Sequence, residues 1–158
     1  MSAEAMEQGT ESNIDVISGL IMSCRAAQAG FLNAAEHTRN SDLGAYFTGR
    51  ALERARFAAE LERVARQLGE ADQFRSTPVA DRIRRAWVDL QFARGGTSDG
   101  AILNLVAAAE RTTRDCYRQA LSLKLPPEVS ALLEQQAESI SDAYDQVCTL
   151  RDMRGRAA

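Results

Sequence analysis

An apolar seam that alternates steps of four and three residues constrains the fold of this 158-residue chain more than any other feature. Its first stretch comprises Ile17, Ile21, Cys24, Gln28, Phe31 and Ala35. This spacing places the side chains on one face of an α-helix and is typical of a helix packed into a bundle core. Apolar and polar residues nowhere alternate strictly over six positions, so the pattern indicates no strands. The chain is therefore predicted to be all-α.

Capping residues, glycines and the only three prolines divide this pattern into five predicted helices. The first is expected to begin after Ser12, where Asp15 completes a weak capping box. The predicted segments run from Ser12 to Thr38, Ser41 to Gly69, Thr77 to Gly95, Ser98 to Leu125 and Pro127 to Arg151. Residues 1–12 are expected to form a flexible N-terminal segment, residues 13–152 a single helical domain, and residues 153–158 a frayed C-terminus.

Link lengths predict the topology. Short links join the first two and the last two helices, so each pair is expected to form an antiparallel hairpin. The connection between Gly69 and Ser98 is long enough to cross from one end of a bundle to the other. The prediction is a ferritin-like four-helix bundle whose long crossover carries a short extra helix between the second and third long helices.

Several polar residues fall on or beside the apolar seams. Gln28, Glu110 and Gln136 occupy seam positions, and Glu53 and Glu60 flank the core face of the second helix. An ionised carboxylate in a dry core costs several kcal/mol unless it is paired or binds a metal. These positions therefore require a partner of one kind or the other.

Two interpretations of the polar positions stay open. In the first, Arg50 or Arg54 neutralises Glu110 within a core polar network formed by Gln28, Arg54, Gln136 and Tyr144. In the second, a divalent metal such as Fe or Mn binds to Glu53, Glu60 and Glu110. Oxygen ligands alone favour hard cations such as Mg or Mn over a redox-active iron pair. The di-iron pattern also needs Glu-x-x-His, whereas Arg56 stands three residues after Glu53.

Four blocks of sequence carry a family resemblance. They are Gly30-Phe31 with Ala34-Ala35-Glu36, then Arg54 to Leu61, Arg85 to Leu90 and Tyr117 to Leu121. With these blocks in the family's order from about Asn13 to Asp152, the chain resembles a bacterial ferritin-like family of unknown function. The resemblance implies a small four-helix bundle, and some members of that family are linked to stress responses.

The departures from the family pattern all fall on polar positions. Family members usually carry acidic residues or histidines where this chain has Gln28 and Ala29, Arg84, Ala107 and Tyr144. Glu60 and Glu110 are retained, as is the apolar framework. The resemblance therefore implies that the fold is kept and that the metal site is lost or rebuilt.

Composition excludes several function classes. The formal net charge of −3 disfavours a nucleic-acid binder, and no apolar run is long enough to cross a membrane. Three widely spaced cysteines fit neither a disulfide framework nor a zinc site, and the single histidine, His37, is expected to interact with a helix end or solvent. A cytoplasmic location is expected.

The combined prediction is a non-catalytic helical bundle with a degenerate metal site and no cofactor. Its role would be structural or protein-binding and stress-related, as a homo-oligomer, in particular a dimer, with a further protein partner unidentified. The alternative is a carboxylate-rich metal-binding protein or oxidase of ferritin-like type.

Overall fold

The computed structural model describes residues 3–69, 78–91 and 97–157, and the side chains of residues 13–69, 81–88, 90 and 97–154. Within these residues the chain is all-α and forms no strand, as the seam pattern predicts. Five helices are present: α1 (Ala3–His37), α2 (Ser41–Gln67), α3 (Pro78–Gln91), α4 (Asp99–Leu121) and α5 (Pro127–Ala157). Within the same residues, no helix combines the length and the apolarity needed to cross a membrane.

The internal helix ends lie close to the predicted capping residues. Asn40 caps α2, because its Oδ1 accepts hydrogen bonds from the backbone N–H groups of Asp42 and Leu43 over 2.9 and 3.0 Å. Ser98 caps α4 by accepting from the N–H of Ala101 over 3.1 Å. Gly69 follows α2 with φ of +90°, a left-handed conformation that glycine adopts at little cost. The predicted cap Thr77 and the predicted stop at Gly95-Gly96 lie outside the described residues.

The first and last helices extend further than the sequence predicts. α1 begins at Ala3, so the expected start after Ser12 is wrong. Residues 3–7 are alanine, glutamate and methionine, which favour helix, and glutamates suit the positive end of the helix dipole. α5 continues past Arg151 to Ala157, where arginines suit the opposite end of the dipole.

Hydrogen bonds at the helix ends establish the helix directions. Thr38, just after α1, donates to Asp99 at the start of α4, and Asn13 in α1 donates to the carbonyl of Lys124 just after α4. α1 and α4 are therefore antiparallel. By the same reasoning α2 and α5 are antiparallel, because Tyr46 contacts Ala143 whereas the later α2 residue Phe57 accepts from Gln136.

These directions place the end of α2 and the start of α4 at opposite ends of the molecule. The three-residue link between α1 and α2 makes those helices antiparallel, so α2 and α4 run the same way. The chain therefore traverses the length of the molecule between Leu68 and Ser98, and α3 lies within that connection. α3 packs against both α1 and α4.

Two apolar clusters fill the core. The first, around Phe31, Phe47 and Trp87, lies towards the end where α1 meets α2. The second, around Ile21 and Leu61, lies towards the opposite end. The same four-and-three spacing predicts seams on α4 and α5, and all their residues are buried except Leu150, which is partly buried. On α4 these residues are Leu103, Val106, Glu110, Thr113, Tyr117 and Ala120, and on α5 they are Val129, Leu133, Gln136, Ile140, Ala143, Val147 and Leu150. On the α1 seam, Gln28 and Ala35 are only partly buried.

A buried polar layer as the candidate functional site

A bidentate ion pair joins α2 to α4 inside the core. Arg54 Nη1 donates to Glu110 Oε1 over 2.7 Å, and Arg54 Nη2 donates to Glu110 Oε2 over 2.6 Å. Neither side chain has any solvent-exposed area. Two parallel charge-assisted hydrogen bonds form the most geometrically specific contact that arginine makes with a carboxylate. We call Arg54 and Glu110 the polar layer.

The polar layer lies between the two apolar clusters. The guanidinium carbon of Arg54 is 5.5 Å from the ring centroid of Phe31, which belongs to the first cluster. Along α2, the next buried residues after Arg54 are Phe57 and Ala58, which belong to the second cluster. The seams of α2 and α4 therefore pass from apolar packing through one charged level and back into apolar packing.

Arg54 stays positively charged in this setting. Burial by itself lowers the pKa of Arg54, but the charge of Glu110 and the hydrogen bonds to it together raise that pKa above its ordinary value. Two opposite charges removed from water are tolerated only when geometry is close to ideal, because each ion loses several kcal/mol of hydration. The bidentate contact meets that requirement.

One donor of the polar layer is left over. The Nε of Arg54 is buried and has no hydrogen-bond partner among the described residues. The hydroxyl of Ser23 on α1 is also fully buried and has no hydrogen-bond partner within the described part of the chain. Unpaired buried donors cost about 1–3 kcal/mol each.

A second set of buried polar groups, the polar chain, consists of Cys24, Tyr117 and Gln136. The Tyr117 hydroxyl donates to Gln136 Oε1 over 2.7 Å, and Gln136 Nε2 donates to the carbonyl oxygen of Phe57 over 3.4 Å. The Sγ of Cys24 is 3.4 Å from the Tyr117 oxygen. Because the single hydroxyl proton of Tyr117 serves Gln136, the thiol of Cys24 donates to the Tyr117 oxygen. The polar chain thus links α1, α4, α5 and α2.

Both ionisable groups of the polar chain are held neutral. Burial raises the pKa of the Cys24 thiol from an ordinary 9.0 to about 11. Burial, followed by the neighbouring Cys24, raises the pKa of Tyr117 well above its usual value. The polar chain is therefore a set of neutral hydrogen bonds next to a charged pair.

The three glutamates predicted as metal ligands are not brought together. Each has an arginine partner: Glu110 pairs with Arg54, Glu53 with Arg50 and Glu60 with Arg56, the last two over 3.2 and 3.5 Å. Within the described residues, no group of three or more His, Cys, Asp or Glu side chains could hold a metal ion. Of the two arginines expected to neutralise Glu110, the structure selects Arg54.

The other predicted network residues divide between core and periphery. Gln136 is buried in the polar chain, whereas Gln28 is only partly buried. Tyr144 is partly exposed, and the guanidinium of Arg114 lies 4.5 Å from its ring centroid. Tyr144 therefore lies outside both the polar layer and the polar chain. His37 lies at the end of α1, where its Nδ1 is 2.9 Å from the carbonyl oxygen of Asn33.

Sequence reasoning missed the participation of Cys24 and Tyr117. Both lie on predicted seams, where the spacing predicts ordinary core residues and no hydrogen-bonding role. The signal in the sequence is the position of each residue along its helix. When adjacent helices are antiparallel, Cys24, Tyr117 and Gln136 lie at similar positions along the bundle axis. The hydrogen bond from the Trp87 indole to Thr113, 3.1 Å long, was missed in the same way.

Comparison with known proteins identifies the family. The family described as domain of unknown function (DUF2383) matches residues 12–123. The matched part contains the polar layer and two of the three residues of the polar chain, and it ends before α5. Among curated proteins, none matches this sequence.

Proposed function

We propose that this chain, which belongs to the DUF2383 family of domains of unknown function, is a non-catalytic ferritin-like four-helix bundle. In this proposal the site where such bundles hold metal is degenerate, and an internal arginine–glutamate pair stands in its place. The protein would serve a structural or protein-binding, stress-related role as a cytoplasmic homo-oligomer. The helix directions and the long connection through α3 support the ferritin-like arrangement.

The contact between Arg54 and Glu110 carries the proposal. Both oxygens of Glu110 already accept short hydrogen bonds from a fully buried guanidinium. A divalent cation bound to Glu110 would lie close to a group that is never deprotonated in proteins, where low dielectric strengthens the repulsion. A metal could bind only if Arg54 moved away and left its charge unpaired in the core. Arg54 therefore supplies the positive charge that a metal would otherwise supply.

One large apolar side chain is exposed on the surface of α2. Leu52, in the middle of that helix, is 68% exposed. A leucine exposed to this degree costs free energy in water, although scattered exposed leucines are common on monomers. Light scattering across a concentration series would test the proposed dimer. A constant monomer mass at all concentrations contradicts the homo-oligomer.

Metal loading tests the absence of a functional metal site. The protein is purified without chelator and incubated anaerobically with ferrous or manganous ion, and bound metal is then measured by mass spectrometry alongside thermal unfolding. A metal that bound only the folded state would raise its stability and therefore its Tm. We expect far less than one equivalent of bound metal and therefore no rise in Tm.

Two variants make the test specific. Glu110→Gln removes the carboxylate proposed as a ligand in the alternative, and Glu128→Gln changes an exposed carboxylate of α5 as the control. Uptake of one or two equivalents that raises Tm, and that Glu110→Gln alone abolishes in a folded protein, would establish the metal-binding alternative.

A further inference from the structure

An open cleft at one end of the molecule is lined by three arginines. Its volume is about 470 Å³, and it lies where the link between α1 and α2, the first turn of α4 and the last turns of α5 meet. Arg39 comes from the link, and Arg151 and Arg154 come from α5. The cleft shares no residue with the polar layer or the polar chain, so it is independent of the proposed function.

The cleft contains one carboxylate, Asp99, and that carboxylate is already occupied. Its Oδ1 accepts hydrogen bonds from the Thr38 hydroxyl over 2.8 Å and from the backbone N–H of Arg39 over 3.0 Å. Its Oδ2 is 3.5 Å from Nη1 of Arg154. Burial opposes ionisation, but the bonds from Arg39 and Thr38 lower the pKa of Asp99, so it is charged at neutral pH. Three arginines and one aspartate leave the lining with a net charge of +2.

The arginine donors of the cleft are largely unused by protein groups. A guanidinium carries five N–H donors. Among the described residues, Arg151 makes one contact of 3.4 Å with Asp152, which does not line the cleft, and Arg154 contacts only Asp99. The Arg39 side chain has no ion-pair partner among the described residues and is exposed. Asp99 offsets one of the three positive charges, so two remain unbalanced across the cleft.

We propose that this cleft binds a phosphoryl group of a small molecule. A phosphoryl group carries up to two negative charges, which match the lining, and it offers oxygens that guanidinium groups can bridge from several directions. Arg151 and Arg154 lie one helical turn apart on α5, so both reach the cleft from one side while Arg39 reaches it from another. The volume falls in the range of small-molecule sites, about 300–1,000 Å³.

The first turn of α4 adds to the same preference. Asp99 and Gly100 both line the cleft, and N–H groups in the first turn of a helix have no acceptor within the helix. Such groups bind phosphate when it lies at the helix start. The arginines carry the proposal, and the α4 amides would orient the bound group.

Titration with inorganic phosphate tests the site. The full chain is labelled with ¹⁵N and titrated at low ionic strength in a buffer free of other multivalent anions, with acetate titrated in parallel. The variants Arg39→Gln and Arg151→Gln each remove one guanidinium from the cleft. Arg63→Gln removes an exposed guanidinium of α2 that does not line this cleft and serves as the matched control.

Saturable binding of one phosphate, with shifts centred on the α4 start, is the expected result. Each cleft variant should weaken binding by about tenfold or more, since each removes charge-assisted hydrogen bonds. Arg63→Gln should bind as the unaltered protein does. The proposal is overturned if phosphate does not saturate, if Arg63→Gln weakens binding as much as the cleft variants, or if acetate binds as tightly as phosphate.

Discussion

Trp87 of α3 packs so closely on Gly30 of α1 that a Cβ at Gly30 would lie 2.8 Å from Trp87 Cε3. Both residues are buried, Trp87 within the first apolar cluster, and the tilted ring of Phe31 packs against the same indole with ring centroids 5.0 Å apart. The glycine is therefore required by the approach of α3 to α1, and its own backbone conformation does not require it. The α3 helix reaches the core only because this position has no side chain.

Gly30→Ala should destabilise the protein although alanine favours helix. Overpacking a dense core costs about 1–3 kcal/mol. The new methyl group would meet the rigid indole of Trp87, which cannot bend aside as the end of a flexible side chain could. The free energy of unfolding in urea measures the loss. Gly49→Ala in α2 is the matched control, because a Cβ there meets no atom within 4 Å. The control should gain about 0.5–1 kcal/mol from helix propensity, and equal effects at both glycines would contradict the packing account.

Breaking the polar layer from one side should cost more than replacing both partners. Arg54→Met or Glu110→Leu alone leaves a buried unpaired charge and should destabilise the protein by about 3–5 kcal/mol. The double variant removes both charges and should recover most of that loss. A double-mutant cycle in urea gives the coupling directly. Additive single effects would show that the two side chains do not act as a pair.

Tyr117→Phe should lower the free energy of unfolding by about 1–3 kcal/mol, because Cys24 and Gln136 lose a buried partner. Tyr46→Phe serves as the control. The Tyr46 side chain is partly exposed, and its hydroxyl makes two long contacts with α5, of 3.3 and 3.4 Å. The control should change stability by much less. Similar losses for both tyrosines would assign the effect to general packing and not to the polar chain.

Stability should fall as pH rises from about 9 to about 11. The unfolded Cys24 thiol ionises near its ordinary pKa of 9.0, whereas the folded thiol stays protonated up to a pKa of about 11. In that window the unfolded state binds fewer protons, so the free energy of unfolding decreases with pH, by up to about 1.4 kcal/mol per pH unit from this group. The stabilisation is fully present below pH 9.

Unfolding curves of the unaltered protein and of Cys24→Ala, recorded from pH 7 to pH 11, measure this dependence. Only the slope above pH 9 is compared, since the substitution also changes packing at every pH. The free energy of unfolding should decrease less steeply with pH in Cys24→Ala than in the unaltered protein. In both proteins the decrease should become steeper where Tyr117 begins to ionise in the unfolded state. An unchanged slope would exclude the Cys24 thiol as its source.

The sequence by itself determined the secondary structure and most of the core. The four-and-three spacing assigned the buried faces of α4 and α5, and Ser41, Pro78, Ser98 and Pro127 marked helix starts within a residue or two. These features are local, because seam periodicity and capping depend on neighbours within a turn or two of helix. The start of α1 was misplaced, since a capping signal such as Ser12 competes with the helix propensity of residues on both sides.

Only the tertiary structure decided which polar groups meet. The sequence placed Glu110 in the core and offered Arg50 or Arg54 as its partner, but one residue of helix rotation, 100°, separates a buried side chain from a peripheral one. Arg54 on α2 is fully buried, whereas Gln28 on α1 and Tyr144 on α5 are partly exposed. The polar chain and the arginine cleft likewise join residues that are far apart in sequence, and such contacts depend on how the helices pack against each other.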